Sequence, residues 1–419
     1  MRRGLVSSLT QKSKFRLVFI FFLVFQIAMV LLIPPMISHD GYNYLSSGKA
    51  LFSPDFPYRY QLMREPLYPF LVWLASRTGN VLLTLSLIQS FLMSISATIL
   101  FRIFIKKFKT SEMHTLISIT IGLFAVRGYA STVLQICLII VILLLSLLNL
   151  FWLIDNQHLK YRSIVSVATT GALAAATNSA LTCTVIGSLI LGLWLANVNW
   201  KRIIKLVTYL LIGSASVLVP WYSITFPVDI YSQAILSPHT SFELKYFERT
   251  SFIEDNKIRL QAIGSLLLIY PDRAPGYSEG YSMPAKELMM FGSYWDYGKT
   301  GNCLINHGGQ TESVDYVMDE IRPRCVKSKI LDFQRTASHL VVPIYLFSGI
   351  FLIAALITSL RRKCLEMQLF VMPMIILILI YGSGGAGISR FSAILPFVGP
   401  SLALWLIKEF TARKDSFLG

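Results

Sequence analysis

Val133-Leu-Gln-Ile-Cys-Leu-Ile-Ile-Val-Ile-Leu-Leu-Leu-Ser-Leu-Leu-Asn-Leu-Phe-Trp-Leu-Ile154 holds no charged residue. A helix needs about 20 apolar residues to cross a hydrocarbon core, so this stretch reads as a membrane span. Runs of the same kind lie at 17–33 and 340–360. The whole chain agrees with them. Of 419 residues, 54% are hydrophobic and 14% charged, where a soluble chain carries roughly a quarter charged; the mean hydropathy is +0.60. This balance excludes a water-soluble enzyme, a disordered protein and a collagen-like chain. The sequence predicts an all-α polytopic integral membrane protein of about ten transmembrane helices. They fall near 15–37, 79–101, 113–126, 131–154, 162–177, 179–197, 203–226, 339–360, 367–381 and 390–409. The third, fifth and ninth are short for a full span, as broken, tilted or protein-buried helices are.

The net charge of +16 matters less than its distribution. No basic run is interleaved with aromatics for base stacking, so nucleic acid is not an expected partner. With a cytoplasmic N-terminus and alternating sides, Arg2, Arg3, Lys12, Lys14 and Arg16 fall on one side. Arg102, Lys106, Lys107, Lys109, Lys201, Arg202, Lys205, Arg361, Arg362, Lys363 and Lys408 join them there. The other face is nearly neutral. This is the positive-inside pattern, repeated at every short turn. It predicts a multi-pass protein of a bacterial inner membrane with both termini cytoplasmic. The basic N-terminus is followed by an apolar stretch too long for a signal-peptide core and without a small-x-small cleavage site, so it reads as a retained first helix.

Two external segments are long, 38–78 and 227–338. They divide the chain into an N-terminal membrane module at 1–226, a large external loop region at 227–338, and a C-terminal three-helix segment at 339–419. Transporters place charge inside their helices near mid-membrane. Here the helix interiors are almost free of it, so the chemistry belongs on the external face. Cys303 and Cys325 share the large loop and can form a disulfide in an oxidising compartment or stay free thiols. No Cys/His spacing resembles a zinc site.

The first external loop carries the most information. It reads Ile37-Ser-His-Asp-Gly-Tyr-Asn-Tyr-Leu-Ser-Ser-Gly-Lys-Ala, then Met63-Arg-Glu-Pro-Leu-Tyr-Pro-Phe-Leu. Asp40 emerges just past the first span, at headgroup level. Residues 42–52 can form one short surface helix, and Pro66 suits the first turn of another. Taken alone, Asp40 also reads as the N-cap of a helix beginning at Gly41, and Arg64–Glu65 as a solvated pair.

The acidic residue after the first helix, the aromatic Tyr42, the small-residue helix and the charged residue before Pro-Leu-Tyr-Pro resemble the GT-C superfamily of membrane glycosyltransferases. The likeness is to the protein O-mannosyltransferase-like and lipid A aminoarabinose transferase-like branch; size and loop also resemble O-antigen-modifying glucosyltransferases. Three further segments are similar to that superfamily's. They are Gly171-Ala-Leu-Ala-Ala-Ala-Thr-Asn-Ser-Ala-Leu, with Asn178 where Arg is common, Val219-Pro-Trp-Tyr, and Ser389-Arg-Phe-Ser-Ala-Ile-Leu-Pro-Phe. The resemblance implies a GT-C-like fold, a polyprenyl-phosphate-linked sugar as donor, and inverting transfer on the external face. It implies a glycan or glycolipid acceptor such as a lipopolysaccharide or O-antigen unit. Asp40 takes the base role by position, with Glu65 as second carboxylate. Many relatives carry two adjacent acidic residues where this chain has His39-Asp40-Gly41, so the resemblance leaves a divalent metal undecided.

A departing lipid phosphate calls for cations, and Arg binds phosphate in bidentate fashion. Arg64, Arg390 and Arg127 stand near external helix ends. The ordinary reading of such arginines is an anchor that snorkels to headgroups. His39, Tyr42, Tyr44 and Tyr68 are candidate sugar or acceptor contacts, or interfacial residues of the usual kind. Two other functions compete. An O-antigen polymerase or ligase has a large external loop but carries paired external arginines. A lipid-linked oligosaccharide flippase or transporter calls for mid-membrane charge or internal repeats.

Overall fold

The computed structural model describes residues 2–32, 39–54, 56, 65–131, 133, 135–156, 161–235, 296–297, 304–305, 328–383 and 394–418. The described residues are almost wholly helical. In chain order the helices are α1 (Arg2–Leu32), α2 (His39–Ala50), α3 (Leu67–Ser76), α4 (Val81–Lys106), α5 (Glu112–Ala125), α6 (Arg127–Ser131) and α7 (Ile136–Asp155). Then follow α8 (Tyr161–Thr177), α9 (Ser179–Leu195), α10 (Trp200–Ile235), α11 (Ser328–Arg361), α12 (Leu365–Ser383) and α13 (Ile394–Leu418). One short antiparallel ladder pairs β1 (Asp296–Tyr297) with β2 (Leu304–Ile305).

A helix stands at each of the ten predicted positions. Among the described residues, five stretches are long and apolar enough to cross a bilayer: Ser13–Leu31, Val81–Lys106, Ile136–Asp155, Trp200–Thr225 and Ile394–Ala412. The protein is a membrane-embedded helical bundle. Helix α10 runs on to Ile235 and α11 begins at Ser328, so both continue into the region divided off at 227–338. The surface helix α2 begins at His39. Asp40 therefore stands inside its first turn rather than ahead of it.

Burial ranks the helices. The apolar stretch of α7 is 72% buried, that of α10 28%, and that of α1 17%. So α7 is a core helix and α1 and α10 present most of their surface outward, as lipid-facing helices do. Helix α4 packs against α1, α5, α6 and α7. Its serines make this possible. They are small, and Ser94 and Ser96 return their hydroxyls to the Ser90 and Leu92 carbonyls at 2.7 and 2.9 Å, so these two donors are satisfied within the helix.

Glycine sets the closest crossings. A Cβ on Gly171 would lie 2.3 Å from the Leu210 carbonyl oxygen, and one on Gly213 would lie 2.0 Å from that of Ala168. These two clear a mutual approach of α8 and α10. Gly122 does the same for α5 against α13, where a Cβ would meet the Phe397 carbonyl oxygen at 2.1 Å. Small residues at helix crossings are the usual means of tight packing in lipid.

The two ends of the bundle differ. At one end Lys14 pairs with Glu112 and Arg362 with Glu409. Lys107 there meets both Asp155 carboxylate oxygens at 2.8 and 2.7 Å. Lys408 donates to the Phe108 carbonyl at 2.6 Å, and Arg202 to those of Leu153 and Asn156 at 2.9 and 2.7 Å. These cations satisfy carbonyls that helix C-termini leave open, and they oppose the negative end of the dipole. Every residue in this set falls on the side that the charge count makes basic.

Candidate functional site

The opposite end holds the first loop. Helices α2 and α3 pack as a pair: a Cβ on Gly48 would lie 2.4 Å from Val72 Cγ1. The pair is fastened to the bundle by side chains from its inner face. Tyr44 and Tyr68 are buried, 2% and 1% exposed, and meet edge to face at 4.7 Å. The Tyr68 hydroxyl donates to Gln89 Oε1 at 2.9 Å, and Gln89 Nε2 donates to the Ala130 carbonyl at 3.0 Å. This relay ties α3 through α4 to the short helix α6. Tyr44 and Tyr68, expected as sugar-contacting or interfacial aromatics, are instead core residues of the loop's attachment. The reason is register: Tyr68, Val72 and Ala75 form the buried face of α3.

The outer face of the pair is aromatic. Phe52 is 62% exposed, and it meets Trp73 at 4.6 Å, with Phe70 stacked on Trp73 at 5.7 Å. The Arg77 guanidinium lies over the Trp73 ring at 5.0 Å. An exposed aromatic cluster with a cation at its edge suits a membrane–water boundary.

Glu65 is buried, 7% exposed, and accepts a hydrogen bond from the Ser179 backbone N–H at 2.8 Å. Ser179 opens α9, and its neighbour Asn178 caps that helix by accepting from Ala180 and Leu181 N–H groups at 2.9 and 3.3 Å. Two side chains thus share the orphan donors of one helix N-terminus, where a carboxylate is favoured. Glu65 is not open to solvent. It joins the first loop to a helix more than a hundred residues away. Phe56 of the first loop lies 5.9 Å from Trp221.

Arg127 does not snorkel. It is 3% exposed, donates Nη1 to the Phe124 carbonyl at 3.0 Å, and lies over the Phe124 ring at 4.5 Å. The break between α5 and α6 turns it inward. The sequence reading had no α6, because five residues give no periodicity to detect.

His39, Asp40 and Tyr42 stand on α2, and their side chains lie outside the described part of the structure. Arg64, Arg390, Cys303 and Cys325 lie outside the described residues altogether. Among the described residues no three His, Cys, Asp or Glu side chains gather as metal ligands would. Cys137, Cys183 and Cys364 are free thiols.

Two distant segments therefore meet the first loop. The first loop reaches Ser179 through Glu65 and Trp221 through Phe56, and the start of α13 lies against the end of α5 that leads to Arg127. No protein-family model matches the chain, and no curated protein and no solved structure matches it. The class that the fold defines is a membrane-embedded helical protein with a helical surface loop fastened to one end.

Proposed function

We propose that the chain is an inverting membrane glycosyltransferase of GT-C type with about ten spans, both termini cytoplasmic, in a bacterial inner membrane. It moves a hexosyl or pentosyl group from a polyprenyl-phosphate donor to a hydroxyl of a glycan or glycolipid acceptor on the external face. The observation that supports this reading most is the convergence just described. Two segments similar to that superfamily's, at Ser179 and Trp221, lie against the first loop, and that loop carries Asp40.

The chemistry needs few parts. The acceptor oxygen attacks the anomeric carbon as the bond from that carbon to the phosphate oxygen breaks. The electron pair leaves with the lipid phosphate, the hydroxyl proton passes to the Asp40 carboxylate, and the configuration inverts. A positioned base contributes about 10²–10⁴ in rate. Arg64 and Arg390 are the external cations assigned to the phosphate, where charge develops. Glu65 is assigned the role of holding the loop, its Oε1 accepting from the start of α9, and stays the second carboxylate.

The test is glycan profiling of cells carrying the wild type, Asp40→Asn or no gene, at matched membrane protein levels. The expected result is the null glycan for Asp40→Asn. A wild-type glycan from that variant removes Asp40 from the mechanism and, with it, this reading.

A further inference from the structure

Gln26 of α1 is 1% exposed, and both its Nε2 and Oε1 are buried without a hydrogen-bond partner. Among the described residues it is the one side chain with two such atoms. Water is absent from the hydrocarbon region, so a polar group left unpaired there is expensive and calls for an explanation. The buried side of α1 at this level is Phe22, Gln26 and Val30, spaced at one helical turn.

The neighbours of that side can be placed. Helix α1 packs on α4 and α6. The edge contacts Phe15–Phe101 and Phe19–Phe91 fix an antiparallel register, which sets Gln26 abreast of the first two turns of α4. Helix α6 joins α4 at that level through Gln89 and Ala130. One turn deeper on α4, Ser90 is fully buried and its Oγ is also unpaired. The junction of α1, α4 and α6 therefore offers an amide donor, an amide acceptor and a hydroxyl. It carries no charged group of its own from α1 or α4, and the buried Arg127 begins α6 beside it. Gln26 lies five residues before Leu31, where the apolar stretch ends, about 8 Å inside it. Helix α1 is the least buried of the five spans, and Val24 and Leu31 on its side away from Gln26 are 61% and 67% exposed, so α1 stands between the junction and the outside of the bundle.

We propose that this junction binds a neutral, hydroxyl-bearing group, namely the sugar of the lipid-linked donor, with Gln26 and Ser90 as its hydrogen-bond partners. Each sugar hydroxyl both donates and accepts, which matches the amide and hydroxyl that the bundle leaves open. The proposal rests on the glycosyltransferase reading and names where that donor's sugar is held.

Gln26→Met keeps shape and removes both unpaired atoms. The full-length protein in liposomes is melted without lipid additive, then with bare polyprenyl phosphate, then with a panel of polyprenyl-phosphate hexoses and pentoses, all in the Asp40→Asn background so that nothing turns over. Without additive, Gln26→Met is expected to melt at the same temperature or higher, because it loses no bond. A sugar-linked lipid is expected to raise the melting temperature of the Gln26 protein beyond the effect of bare polyprenyl phosphate. Gln26→Met is expected to abolish that difference, and Ser90→Ala to reduce it. With Asp40 restored, Gln26→Met is expected to raise the apparent KM for the sugar lipid at least tenfold.

A fall of more than about 4 °C in Gln26→Met without additive would make Gln26 a structural strut and overturn the proposal. A sugar-dependent shift that survives Gln26→Met would leave a trapped water as the partner and overturn it too. Failure of the underlying reading looks different: no sugar lipid shifts the Gln26 protein, and Asp40→Asn keeps a wild-type glycan.

Discussion

The two ends of this bundle use charge in opposite ways. At the cationic end the ion pairs range from open to half-buried: the Lys14 and Glu112 side chains are 45% and 50% exposed, those of Arg362 and Glu409 33% and 21%. At the loop end a carboxylate and a guanidinium, Glu65 and Arg127, are 7% and 3% exposed and bond to backbone. Exposed pairs contribute little to stability and much to orientation. Buried ones hold geometry, because each must stay bonded or pay for desolvation. The cationic end thus carries the charge pattern that the proposed orientation rests on, while the loop end fixes one loop on three distant segments.

Substitutions at Glu65 should break this contrast most sharply. Glu65→Ala leaves the Ser179 N–H without its acceptor, and a hydrogen bond to a charged group contributes about 1.5–3 kcal/mol. The expected outcome is a lower melting temperature together with loss of any activity of the first loop, read by thermal unfolding in detergent and by glycan profile. Glu65→Gln keeps an acceptor oxygen and should recover most of the stability. A Glu65→Ala protein that melts like the wild type would mean the loop is not fastened here.

Tyr68→Phe comes next. It leaves Gln89 Oε1 without the Tyr68 donor while retaining the ring against Tyr44, at a cost of about 1–2 kcal/mol. Unfolding measurements on the double variant with Gln89→Leu would show whether the two losses add, and the relay predicts that they do not. By contrast, Lys107→Met at the cationic end should cost below about 1 kcal/mol. Its effect should appear in topology reporters instead.

The smallest effect sharpens the comparison from the other side. Lys109 and Lys363 end α4 and α11 with φ of 49° and 53°, the left-handed region where glycine is the usual residue. Replacing either with glycine relieves the backbone but removes a cation from a helix C-terminus, so the stability change should be under about 1 kcal/mol. Cys364 follows Lys363. Burial pushes its thiol up, and the Glu366 and Glu409 carboxylates add to this. A smaller thiolate fraction slows alkylation at neutral pH. In a variant whose only cysteine is Cys364, labelling with a membrane-impermeant maleimide should therefore rise steeply with pH, and only from the cytoplasmic side. Labelling from the external side would reverse the proposed orientation.

The sequence made the spans legible because each is a long uncharged run, and hydropathy needs no tertiary information. It made α2 and α3 legible through the small-residue stretch at 42–52 and through Pro66. Three things escaped it. Helix α6 is too short for a period. The burial of Arg127 depends on which helices surround a break in the chain. The Glu65–Ser179 bond joins two segments whose neighbouring residues give no hint of each other. Asn178, which stands where the resembled superfamily commonly has Arg, is explained by its place: it caps α9 beside Glu65.

The most direct test is transfer itself. The purified full-length chain in liposomes is given the panel of polyprenyl-phosphate sugars with lipid-linked glycan acceptors extracted from the null strain. Product and its anomeric configuration are read by mass spectrometry and NMR. The expected result is one sugar transferred with inversion and a rate at least a hundredfold lower for Asp40→Asn at equal fold. Transfer with retention, or equal rates from wild type and Asp40→Asn, would contradict a first-loop carboxylate acting as the base.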